Sequence, residues 1–207
     1  EAAAVLDHWD SNVVWRAYAE FNLGVAFVRS GKFDQGASVL DALGQRSADS
    51  EESLVLKDQA NVALGYALVQ HHEPARALIA LARVRSTGPQ ATKALLGAGW
   101  AASDAGNMRE ALAAWLELRG RDLLDPAVQE SYLAVPYGYA QLGAEAQAVE
   151  AYELALAEFE TESHRLDESI GAIRAGGLTQ ALEGLSATPG SPPRSGEHTS
   201  ELQSRGL

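Results

Sequence analysis

Apolar residues recur along this chain at three- and four-residue spacing, the period of one face of an α-helix, and the β-branched clusters that favour strands are sparse. The pattern also repeats itself. The segments GYALVQHHEPARALIALARV (65–84) and GWAASDAGNMREALAAWLEL (99–118) align without gaps at an offset of 34 residues. The same template fits GVAFVRSGKFDQGASVLDAL (24–43) after a seven-residue insertion and PYGYAQLGAEAQAVEAYELA (136–155) after a three-residue one. Each copy reads as two helices joined by a tight turn.

The marks of the template have physical reasons. Small residues on the first helix follow a large or apolar one at Leu23-Gly24, Leu64-Gly65 and Ala98-Gly99. Three residues later comes a bulky position, Phe27, Leu68 and Tyr139, from which Ala102 departs. The second helix has a small residue at Gly36, Ala77, Ala111 and Ala148, and a large one four residues on at Leu40, Leu81, Trp115 and Tyr152. Small residues let two helices approach, and large ones on the facing helix fill the space. Gly31, Gly106 and Gly143 mark the turns, because glycine accepts the left-handed conformation that stops a helix; His72 is the exception. Pro74 and Pro126 fall where a helix begins.

These marks resemble the tetratricopeptide repeat (TPR) family, whose unit is about 34 residues folded as two antiparallel helices. The resemblance implies an all-α fold, a TPR-type α-solenoid of about four helix-turn-helix repeats with a long C-terminal helix. The array is expected over 17–162, with units at 17–50, 58–91, 92–125 and 129–162. It follows a partial helix over 1–16 and precedes a helical extension or cap over 163–185. The family's closing proline occurs once, as Pro89. One unit cannot bury its apolar face alone, so neighbours must stack.

Two features depart from a plain array. Pro136 stands where the family has a small glycine, inside a helix expected at 126–142, and predicts a kink at 132–136. From Glu145 to Ala175 no proline occurs, and Gly171 is the one glycine. Val149, Tyr152, Leu156, Phe159, Leu166, Ile170 and Ile173 fall on a helical seam interrupted by Ser163. This predicts one helix of roughly thirty residues, about 45 Å long. Its second half either caps the array, the reading we favour, or forms a coiled-coil contact with a partner or a second copy.

In TPR proteins the first helices line a concave groove that holds peptides. Carried onto this chain, the groove has Phe21, Val62, Leu96 and Leu133 at one level. One turn on are Val25, Tyr66, Trp100 and Tyr137, and at the rim Arg29, Gln70, Asp104 and Gln141. Aromatic side chains on an open wall are good binding anchors; alternatively these residues pack between neighbouring helices. One TPR subtype grips chaperone C-terminal carboxylates with Lys and Asn. Here those places hold Phe21, Val25, Val62 and Tyr66, so a mostly apolar or extended segment is the expected ligand.

Composition narrows the function. The net charge of −12 disfavours nucleic-acid partners, since acidic surfaces repel phosphate. Absence of cysteine removes thiol nucleophiles and cysteine metal sites. No apolar run reaches the roughly 18 residues of a membrane span. His71-His72 diverge at a helix end and read as turn residues rather than metal ligands, and His164 reads as a surface charge pair with Asp167 or Glu168. Glu51-Glu52 suit a helix start. No P-loop, GxSxG or HExxH occurs, and Gly176-Gly177 reads as a helix stop. We therefore expect no catalytic residues, no metal and no cofactor.

The chain opens at Glu1 in a helix-like EAAAVLDHW without an initiator Met, and reads as a fragment. Residues 186–193 read as a linker. Residues 194–204, RSGEHTSELQS, resemble the translation of a common sequencing-adapter oligonucleotide, with Gly196 in place of Glu. Residues 186–207 are thus expected to be a disordered linker and an adapter-derived tail. The expected function is a protein–protein interaction scaffold. The Ala, Gly and Arg richness suits a bacterial genome. The stretch from Ala94 to Gly143 is loosely similar to bacterial envelope TPR proteins, which favours periplasm or envelope over cytoplasm. The alternative is a regulatory or substrate-recruiting region of a larger enzyme. A homo-oligomer through the long C-terminal helix is a third expectation.

Overall fold

The computed structural model describes residues 13–177, and these form eight α-helices. They are α1 (Val13–Arg29), α2 (Phe33–Gly44), α3 (Glu51–Gln70), α4 (Pro74–Leu81), α5 (Ala91–Asp104), α6 (Met108–Leu118), α7 (Pro126–Gln141) and α8 (Glu145–Arg174). The chain divides into two compact units, Glu1–Glu158 and Phe159–Leu207. In the first, consecutive helices pack pairwise from α1 to α7. Each first helix also meets the next one: α1 with α3, α3 with α5, and α5 with α7. First helices therefore lie side by side and line the inner wall of this unit. The second unit's described part is the C-terminal portion of α8 and its end at Ala175–Gly177, in which His164 pairs with Glu168 at 3.3 Å.

The turns explain the chain reversals. Gly31, Gly106 and Gly143 have φ of 78°, 79° and 72°, and His72 takes the same left-handed role at φ 55°. A β-carbon at any of the three glycines would meet open space, so backbone conformation, not crowding, selects glycine there.

Inside the helix pairs the reverse holds. A β-carbon on Gly24 would stand 2.8 Å from Leu40, and one on Gly65 2.5 Å from Leu81. On Gly99 it would stand 2.1 Å from the Trp115 ring nitrogen. These three large side chains are buried, and each fills the hollow its glycine leaves.

The insertions between repeats become helix. The seven residues 51–57 form the first two turns of α3, opened by a Ser50–Ser53 capping box with Glu51 and Glu52 in the first turn. Residues 126–128 form the first turn of α7, where the Asp125 carboxylate accepts the Ala127 N–H at 2.8 Å and Pro126 begins the helix. Pro136, the site of the expected kink at 132–136, is buried inside α7, and the helix runs on both sides of it. Residues 13–16 lie within α1 rather than in a separate preceding helix; no Gly or Pro breaks the chain there. The remainder of the expected 1–16 helix, residues 178–185 of the extension and the tail 186–207 lie outside the described residues.

Polar contacts tie α3 to the segment that follows α4 and to the end of α2. Buried Asp58 accepts from Arg85 Nε at 2.7 Å, and Arg85 Nη1 reaches both Glu51 oxygens at 3.0 Å. Hydrogen bonds to Asp58 first and Glu51 second hold the Arg85 guanidinium above its already high ordinary pKa. Asn61, also buried, donates to the carbonyls of Gly44 at 2.9 Å and Lys57 at 3.1 Å.

Candidate functional site

The inner wall is built by α1, α3, α5 and α7. At the first level Val62 and Leu96 are buried, so they hold neighbouring helices together and offer no surface to a ligand. Phe21 is half-buried against the core, whereas Leu133 is 56% exposed. At the second level Val25, Tyr66 and Trp100 are half-buried and Tyr137 is 39% exposed. The rim residues Arg29, Gln70, Asp104 and Gln141 are all exposed. The open apolar surface of the wall therefore lies at its α7 end.

The second-level aromatics both line the wall and join repeats. Tyr66 Oη donates to the Lys93 carbonyl at 3.0 Å, from α3 to α5. Trp100 Nε1 donates to Glu130 Oε1 at 2.7 Å, from α5 to α7. Tyr18, one turn below Asn22 on α1, repeats the theme by donating to Glu52 of α3 at 3.1 Å. Burial, reinforced by the Glu130 and Asp125 carboxylates, pushes the Tyr66 hydroxyl well above the usual phenol range, so it stays a donor. The hydrogen bond to Glu52 likewise raises Tyr18.

Trp100 stands at the centre of an aromatic cluster. Its ring centroid is 4.8 Å from that of Trp115, tilted 59°, and 6.0 Å from that of Tyr137, tilted 43°. Beside it opens a cleft of about 360 Å³ lined by Val69, His72, Trp100, Ser103, Asp104 and Tyr137. Three of the expected groove residues, Trp100, Asp104 and Tyr137, thus converge on one place. Val69 and Ser103 are not singled out by the sequence, which marks His72 as a turn residue only. Val69 and Ser103 are equivalent positions of the repeat, three residues after Tyr66 and Trp100, and that equivalence is the signal that could have found them.

His72 and His71 part as their adjacency on a helix end requires. His72 Nδ1 lies 3.0 Å from Asp104 Oδ1, bridging the α3–α4 turn to the end of α5. His71 stacks on Phe33 with centroids 3.6 Å apart. Among the described residues no group of three or more His, Cys, Asp or Glu side chains could hold a metal ion, and no helix is long and apolar enough to cross a membrane. The lining of the cleft thus combines two aromatic side chains, one carboxylate, an imidazole and a hydroxyl.

No family model and no curated protein matches the chain. Solved structures do. A crystal structure of MamA, a TPR-repeat protein, superimposes with a TM-score of 0.59 at 20% identity, covering 79% of this chain and 87% of that one. The P212121 crystal form of MamA AMB-1 gives 0.56 at 22% identity over 76% and 88%. A MamA point mutant gives 0.52 at 22% identity over 75% and 76%. At such identities the likeness establishes the fold alone, and the fold is that of a TPR-like helical-repeat array.

Proposed function

We propose that this array captures an extended segment of a protein partner in the cleft between α3, α5 and α7. An apolar or aromatic side chain of that segment would seat on Trp100 and Tyr137, and a basic neighbour would reach Asp104. The observation that carries the reading is the convergence of these three side chains, from two successive repeats, on one cleft of about 360 Å³. Trp100 has its N–H engaged by Glu130, so its orientation is fixed before a ligand arrives, which lowers the entropic cost of binding. The acidic balance of the chain favours a basic partner segment. Assembly in a bacterial envelope is the narrower form of this reading; it draws on the cysteine-free composition, and fractionation of the source cells for the chain tests it.

The test uses a displayed library of random peptides selected on the wild-type chain. Titration calorimetry of the selected peptides against Tyr137→Ala should show a loss of at least about tenfold in affinity, equal to about 1.4 kcal/mol. Equal affinity for both proteins would place the recognition surface elsewhere.

A further inference from the structure

The described chain makes the same junction three times and leaves both of its halves open at the ends. At each junction the second helix of a repeat presents a row of positions to the first helix of the next. In the third junction this row is Leu112, Trp115 and Arg119. A β-carbon on Gly138 of α7 would stand 2.7 Å from Leu112 and 3.3 Å from Trp115, and the Arg119 guanidinium lies 4.9 Å from the Tyr132 ring centroid. In the second junction a β-carbon on Gly97 of α5 would stand 3.3 Å from Leu81, and in the first Gly44 faces Asn61 of α3. The same row on α8 is Val149, Tyr152 and Leu156, and these are 58%, 50% and 61% exposed. Its small neighbours Ala148, Ala151 and Ala155 are buried, so one face of the helix is covered while the face that carries this apolar row is not.

The receiving half has its own signature. On α7 it is Ser131, Val135 and Gly138, a small–apolar–small triad that is buried throughout. It recurs as Ala60, Leu64 and Ala67 on α3, all buried, and as Ala94, Ala98 and Ala101 on α5. Helix α1 carries the same triad, Ala19, Leu23 and Ala26, yet Ala26 is exposed. The surface around it is a hollow of about 440 Å³ that also includes Asn22, Val25, Arg29 and Ser30.

We propose that the uncovered face of α8 receives α1 of a second copy of this chain, making between copies the junction that each chain makes three times within itself. The residues compensate in size. Where the third junction sets Leu112 against Gly138, the junction between copies would set the smaller Val149 against the larger Ala26. Such a contact is heterologous, one end against the other, so each added copy leaves a free α1 and a free α8 face, and assembly is open-ended. This surface is distinct from the cleft, and the proposal stands whether or not the cleft binds peptide.

Sedimentation velocity of the full chain over a wide concentration range, at moderate salt to screen its negative charge, tests the proposal. Wild-type chain should form a concentration-dependent series of species larger than a dimer. Ala26→Glu and Tyr152→Glu should each raise the concentration needed for association at least about thirtyfold, as loss of a central interface contact does. Mixed one to one, the two variants should recover a dimer and nothing larger, because one retains a working α8 face and the other a working α1. Circular dichroism of each variant reports that it is folded. A wild-type chain that stays monomeric overturns the proposal, as does an assembly that both variants leave intact or a mixture that forms no dimer.

Discussion

The Trp100 indole hands its N–H to Glu130 Oε1 at 2.7 Å, and this bond ties the first helices of the last two repeats across the inner wall. It is charge-assisted but solvent-accessible, so its net contribution should sit near the low end for such bonds, about 1 kcal/mol. A double-mutant cycle of Trp100→Phe and Glu130→Ala, measured by urea unfolding, should return a coupling of that size. A coupling of zero would mean the two side chains act independently.

The glycines separate into those that make room and those that do not. Gly99→Ala places a β-carbon against the fully buried Trp115 and should destabilise by about 1–3 kcal/mol, the usual cost of overpacking, or more if the indole cannot move. Gly171→Ala lies inside α8 with nothing within 4 Å and should stabilise the helix by up to about 1 kcal/mol. Thermal unfolding of the two variants should therefore shift in opposite directions.

Arg85 is the partner that buried Asp58 cannot lose. Arg85→Ala leaves that carboxylate without its guanidinium and should cost about 3–5 kcal/mol. Glu51→Ala removes only the exposed arm of the same network and should cost less than about 1 kcal/mol. Chemical denaturation of the two variants ranks them, and equal losses would contradict the assignment.

Tyr66 gives the array an alkaline weakness. Its hydroxyl holds its proton more tightly in the folded chain than in the unfolded chain, whose phenol ionises near the ordinary value of 10.0. The folded state therefore binds more protons above that pH, and stability must fall as pH rises from there toward the folded value. Below it the contribution is fully present. Tyr66→Phe should lose about 1 kcal/mol at neutral pH with the hydrogen bond to Lys93, yet decline less steeply than wild type at alkaline pH. Urea midpoints measured from pH 8 upward provide the comparison.

The fold was legible in the sequence because its constraints are local and repeated. Gly24, Gly65 and Gly99 face Leu40, Leu81 and Trp115 at constant spacing, and one helix pair explains the next. Even the irregular turn at His72 stood out against three glycines, and the structure gives it their backbone conformation. The wall was harder to read, since small rotations of a helix decide whether a side chain meets solvent or the neighbouring helix. Val62 and Leu133 hold equivalent places in the repeat, yet one is buried and the other open. The difference is long-range: Val62 is packed with Leu81 and Ala94 from the elements that follow it, while α7 has no further first helix beside it among the described residues. The Trp100–Glu130 bond was invisible for the same reason, because it joins residues thirty positions apart whose meeting depends on how repeats stack.

Nitrogen-15 and proton chemical-shift mapping of a selected peptide on the full chain tests the central claim most directly. The chain has four tryptophans, so the indole N–H of Trp100 can be assigned by single substitution. The account predicts that this resonance and the amides of Val69, Ser103 and Tyr137 move together on titration, while those of Val149 and Tyr152 stay in place. Shifts confined to other faces, with the Trp100 indole unmoved at saturation, would contradict it.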